Sequence, residues 1–68
     1  MNGRSGDPNK QEILIEFVVH GGVVKATAID PVTGTEAAIV GPANAGRDAL
    51  IEAARRKLDY VLKKNSGA

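Results

Sequence analysis

The chain has 68 residues, of which 43% are hydrophobic and 25% charged, and nine Lys and Arg against eight Asp and Glu leave a net charge of +1. A chain of this length buries only about 60% of its unfolded surface, which limits it to one small domain and excludes a two-domain enzyme or a cradle for a large cofactor. Cysteine is absent, so disulfides, thiolate nucleophiles and Cys-ligated metals are excluded too.

Met1 to Lys10 are polar and aperiodic and read as a disordered tail. Glu12 to His20 is rich in β-branched and aromatic residues and reads as a first strand. Gly21-Gly22 suits a type I′ hairpin turn, whose two central residues take positive φ. Val23 to Asp30 is the second strand. In Pro31-Val32-Thr33-Gly34, Pro31 presets φ for a turn and Gly34 suits the left-handed position that closes it. The Asp30 carboxylate can accept backbone N–H groups inside that loop.

Thr35 to Val40 is the third strand, ended by Gly41-Pro42-Ala43 because proline lacks the ladder donor. Asn44 is the expected N-cap of a helix reaching about Lys64. Leu50, Ile51, Ala54, Leu58, Val61 and Leu62 lie along one face of it. Glu52–Arg56 and Asp59–Lys63 are i,i+4 pairs with the acid first, the better orientation. Residues 11–64 are expected to form a single β-β-β-α domain, and 65–68 a frayed end. No apolar run approaches the ~18 residues of a membrane span, and the N-terminus lacks the apolar stretch of a secretory signal. A cytoplasmic location is expected.

The two turns set the strand registers, and the registers set the faces. Pairing His20 with Val23 and Asp30 with Thr35 puts Ile13, Ile15, Phe17, Val19, Val24, Ala26, Ala28, Ala37 and Ile39 on one face. All are apolar, and the alanines of the second and third strands leave room for a helix to lie close. The expected fold class is α+β: a three-stranded antiparallel meander in the order 1-2-3, with the C-terminal helix covering this face. The opposite face carries Leu14, Val18, Val23, Ile29 and Val40 among Glu16, Lys25, Thr27 and Glu36. No second helix exists to cover it. An exposed apolar area of this kind marks a candidate contact surface.

The block Val24-Lys25-Ala26-Thr27-Ala28-Ile29-Asp30-Pro31-Val32-Thr33-Gly34-Thr35-Glu36, followed by Ile39-Val40-Gly41-Pro42-Ala43-Asn44-Ala45 and Arg56-Lys57-Leu58-Asp59-Tyr60-Val61-Leu62, resembles a family of small alphaproteobacterial proteins of unknown function. The resemblance spans nearly the whole folded part. It implies no catalytic residues, cofactor or substrate. Some relatives bear the label of the pyridoxal-phosphate enzyme serine hydroxymethyltransferase. Such an enzyme needs a large α/β domain and a Schiff-base lysine in a closed pocket, and the length excludes it.

Gly41-Pro42-Ala43-Asn44-Ala45-Gly46-Arg47-Asp48 matches the glycine spacing of a phosphate loop between strand and helix. The motif needs Lys-Ser/Thr after the second glycine, however, and a parallel sheet around it. An ordinary sheet exit and helix start is the better reading. His20 is the one histidine, with no acidic cluster placed to complete a metal site. Ser5 and Ser66 lie near the chain ends, which makes a Ser-His-Asp triad implausible. Glu12 and Glu16 share a strand face without a concave site around them. No catalytic, cofactor-binding or metal-binding residue is expected.

Basic residues concentrate on the helix, where Arg47 to Lys64 hold six basic residues against three acidic ones. Arg55, Arg56, Lys63 and Lys64 are the candidate basic face for nucleic acid. The sheet would display Lys25 amid Glu16 and Glu36, and only Phe17 and Tyr60 are aromatic. Nucleic-acid binding is therefore the weaker expectation. Tyr60 is expected at the edge of the core. The stronger expectation is a non-catalytic interaction module that meets a protein partner, or a second copy of itself, through the open sheet face or an edge strand.

Overall fold

Alternating hydrophobicity between residues 14 and 42 produces three strands of equal length. They are β1 (Leu14–His20), β2 (Val23–Ile29) and β3 (Glu36–Pro42). They form one antiparallel sheet in the order β1-β2-β3, and the helix α1 (Arg47–Gly67) follows. The computed structural model describes residues 12–67. The tail expected over Met1–Lys10 lies outside the described residues, and so does Ala68.

The registers are those expected from the turns. Ile15 pairs with Ala28, Phe17 with Ala26 and His20 with Val23, while Ala26 pairs with Ile39 and Ala28 with Ala37. The hairpin turn differs in type. Gly21 has φ +65°, but Gly22 does not take positive φ, which is the pattern of a II′ turn rather than the expected I′. Gly34 closes the second connection at φ +79°. Its N–H donates to the Asp30 carbonyl at 2.8 Å, and the Asp30 N–H donates to the Thr35 carbonyl at 2.9 Å. The Asp30 carboxylate accepts the Val32 N–H at 2.9 Å and the Thr33 hydroxyl at 3.2 Å. This pins the loop from inside, with Asp30 itself only 1% exposed.

The third strand does not stop at Val40. It runs through Gly41 and Pro42, which pair with Val24 and Val23. The hydrogen-bond alternation explains why proline is accepted. The Ala43 N–H donates to the Gly22 carbonyl at 2.8 Å, and Asp30 and Thr35 are bonded at the other end of the ladder. Bonded and unbonded pairs alternate between these limits, so Pro42 falls at an unbonded position. Its missing N–H is one that β2 never uses.

The helix start also differs from expectation. Asn44 sits inside a 3-10 turn, Ala43–Ala45, and does not cap α1. Gly46 does so, with φ +92° and a carbonyl that accepts the Leu50 N–H at 3.3 Å. The helix continues to Gly67, past the expected end near Lys64, so of the end expected to fray, 65–67 are helical.

The core contains Val24, Ala26, Ala28 and Ala37 from the sheet and Leu50, Ala54 and Leu58 from α1. Small side chains on β2 and β3 let the helix approach them, and α1 accordingly packs over β3 and β2 and hardly touches β1. This corrects the expectation of a fully covered inner face. Ile13, Ile15 and Phe17 are half-buried at the core margin, and Val19 is 67% exposed.

Candidate interaction surfaces

Period-two alternation sends the even-numbered residues of β1 to the side of the sheet away from α1. On that outer face Leu14, Val18, Val23 and Val40 are all exposed, with Val18 at 52% and Val40 at 66%. Ile29 is half-buried and Thr27 is buried beneath its flanking neighbours. Cross-strand pairing places Leu14 beside Ile29, Val18 beside Lys25, and Lys25 beside Val40. The five expected residues thus share one face, and Lys25 interrupts it.

A second apolar surface lies on the inner side, and it was not anticipated. Where α1 leaves β1 uncovered, Phe17, Val19, Val24 and Leu50 line a groove of about 350 Å³. The Arg47 guanidinium stands 5.1 Å from the centre of the Phe17 ring at its rim, a cation–π distance. A signal for this groove exists in the sequence. Ile15, Phe17 and Val19 are bulky, whereas their partners include Ala28 and Ala26. One helix cannot lie close to the small residues and cover the bulky strand as well.

The two sheet edges are unlike. Because Asp30 and Gly22 bond toward β3, the alternation sends the N–H and C=O groups of Val23, Lys25, Thr27 and Ile29 toward β1. Their partners His20, Val18, Glu16 and Leu14 are therefore satisfied by β2. The backbone groups of Ile15, Phe17 and Val19 point out from the other side of β1, which no described strand pairs. On β3 the outward groups are those of Glu36, Ala38, Val40 and Pro42. There the Lys57 ammonium donates to the Ala38 carbonyl at 2.8 Å, and Pro42 presents no donor. Both are devices that close an edge to further pairing.

The candidate basic residues are exposed but not gathered. Arg56 pairs with Glu52 at 3.9 Å and Lys63 with Asp59 at 3.3 Å, as the spacing implied. Lys64 stands 5.9 Å from the centre of the Tyr60 ring. Tyr60 itself is solvent-exposed and does not seal the core edge as expected. Arg55 and Lys64 are about two and a half turns apart and so lie on opposite flanks of α1. The glycine-spaced segment forms no phosphate cradle. Gly41 is in an antiparallel strand, and its open side is filled by Leu50. His20, Glu12 and Glu16 are exposed. Among the described residues no cluster of His, Asp or Glu gathers to hold a metal, and no helix is long and apolar enough to cross a membrane.

Residues 10–65 match the family model described as a domain of unknown function, DUF6898. The chain belongs to this family. No curated protein and no solved structure matches it.

Proposed function

We propose that this DUF6898 chain is a small non-catalytic protein–protein interaction module, working in the cytoplasm of a bacterium of the alphaproteobacterial type. It acts through its open sheet face or an edge strand. The observation that carries this reading is the one-sided architecture. Among the described residues a single helix serves a two-faced sheet, and the face it leaves bare keeps Leu14, Val18, Val23 and Val40 exposed. An exposed apolar patch rimmed by charge is the usual mark of a contact surface. Among the described residues no nucleophile, base and pocket converge that would favour an enzyme. The basic residues of α1 support nucleic-acid binding less well, since Glu52 and Asp59 accompany two of the four.

The test compares wild type with a Val23→Lys/Val40→Lys double variant. Self-association is measured by sedimentation equilibrium, and partner capture from a bacterial lysate runs beside it. Self-association of the wild type, or retention of a protein by it, is the expected result; its loss in the double variant assigns the contact to the open face, and its survival there assigns it to an edge strand. A wild type that neither self-associates nor retains any protein overturns the reading.

A further inference from the structure

We infer that the partner at the β1 edge is a second copy of this chain, joined by antiparallel β1–β1 pairing about a two-fold axis through Val18. The inference rests on the interaction-module reading and deepens it by naming the partner and the edge.

The argument begins with the inequality of the edges. β3 is closed by Lys57 on the Ala38 carbonyl and by Pro42. β1 contains neither proline nor glycine, and among the described residues the backbone groups of Ile15, Phe17 and Val19 point outward along it without a partner strand. Edge strands that lack such protection are templates for pairing. The same strand is the one that α1 leaves uncovered, so its inner-face side chains Phe17 and Val19 stand beside the open groove. One event would satisfy both deficits. A second β1 would occupy the outward donors and acceptors, and its own Phe17 and Val19 would lie beside the groove.

Symmetry and charge then select the register. A two-fold pair is isologous, so each contact occurs twice. The outward-pointing odd residues must meet odd residues for their groups to bond. Centring the pair on Glu16 sets two carboxylates directly opposite each other, which is unfavourable, and centring it on Phe17 faces each Glu16 with the partner's Val18 and leaves the carboxylate without a polar partner. Centring it on Val18 sets Val18 against its own copy and each Glu16 carboxylate against the partner's His20 imidazole, an acceptor facing a donor. It also sets Phe17 against the partner's Val19 on the groove side. The result is a continuous sheet of twice three strands, with both helices on one face and both grooves meeting at the axis.

Val19→Pro tests this. The Val19 side chain is already exposed and its N–H is not used by β2, so proline there removes an edge donor without breaking the hairpin. In sedimentation equilibrium the wild type is expected to dimerise as concentration rises. Val19→Pro should weaken the dimer at least tenfold while keeping its far-ultraviolet circular dichroism, and Val40→Lys should leave the dimer unchanged. Amide exchange supplies a reading independent of the variant. The Phe17 and Val19 N–H groups should gain protection as wild-type concentration rises, whereas those of Glu36, Ala38 and Val40 should not. Val18→Cys, in a chain without native cysteine, should close an intermolecular disulfide on oxidation. A wild type that stays monomeric at millimolar concentration overturns the proposal, and the capture experiment then decides the broader reading alone. A dimer that survives Val19→Pro but is lost in Val40→Lys overturns the edge pairing and supports the open face. A dimer with protected β1 amides that yields no Val18→Cys disulfide overturns the register.

Discussion

Gly41 and Leu50 occupy nearly the same space: a Cβ added to Gly41 would lie 2.7 Å from Leu50 Cδ2. The contact joins the end of β3 to the first turns of α1, and Leu50 is 6% exposed. With Ala26, Ala28 and Ala37 it explains why the helix lies over β2 and β3. Only where the sheet is bare of bulk can α1 come close.

Gly41→Ala should therefore destabilise the fold by overpacking, by about 1–3 kcal/mol. A urea titration should show a lower midpoint with an unchanged slope. The added cost should disappear when Leu50→Ala is already present, because the clash partner is gone. An equal cost in both backgrounds would show that Leu50 is not its cause.

Asp30→Ala should cost about 1–3 kcal/mol, since two loop donors lose the buried carboxylate that accepts their hydrogen bonds. Those donors are the Val32 N–H and the Thr33 hydroxyl. Asp30→Asn keeps an acceptor for Val32, and the Thr33 hydroxyl can rotate to accept from the new amide, so its loss should be the smaller of the two. Denaturant midpoints of both variants check the order.

Gly46 and Gly22 form a matched pair, because a Cβ at either would meet nothing within 4 Å. Only Gly46 has a φ of +92°. Gly46→Ala should lose about 1–3 kcal/mol to backbone strain, and Gly22→Ala should change stability by less than about 1 kcal/mol. Thermal midpoints compared side by side give the result, and equal losses would refute the conformational explanation.

Lys57→Met should leave stability within about 1 kcal/mol, the ordinary net worth of one exposed hydrogen bond. Its larger effect should be on solubility, because the Ala38 carbonyl on the β3 edge loses its cap. Light scattering on heating should show earlier aggregation than in wild type. An unchanged aggregation profile would mean that Pro42 alone protects this edge.

Much of the architecture was legible from local chemistry. Gly21-Gly22 and Pro31–Gly34 are turn signals at short range, and they set both registers. The registers in turn separated the two faces, so the outer residues Leu14, Val18, Val23, Ile29 and Val40 could be named together. The misses at Pro42 and Asn44 share one cause. Whether a proline ends a strand depends on which backbone groups the neighbour uses. Whether an asparagine caps a helix depends on where the helix begins, and here Gly46 decided that with a φ of +92°.

The sequence by itself determined the three strands, their order and registers, the helix and its apolar stripe, because each follows from spacing and turn chemistry within a few residues. Only the tertiary structure decided where α1 lies across the sheet. That position is a balance of side-chain volumes contributed by separate strands, with Gly41 and the alanines drawing the helix toward β3 and the bulk of β1 left outside. The groove at Phe17 and the unequal edges follow from that balance, since volume is matched across the fold and not along the chain.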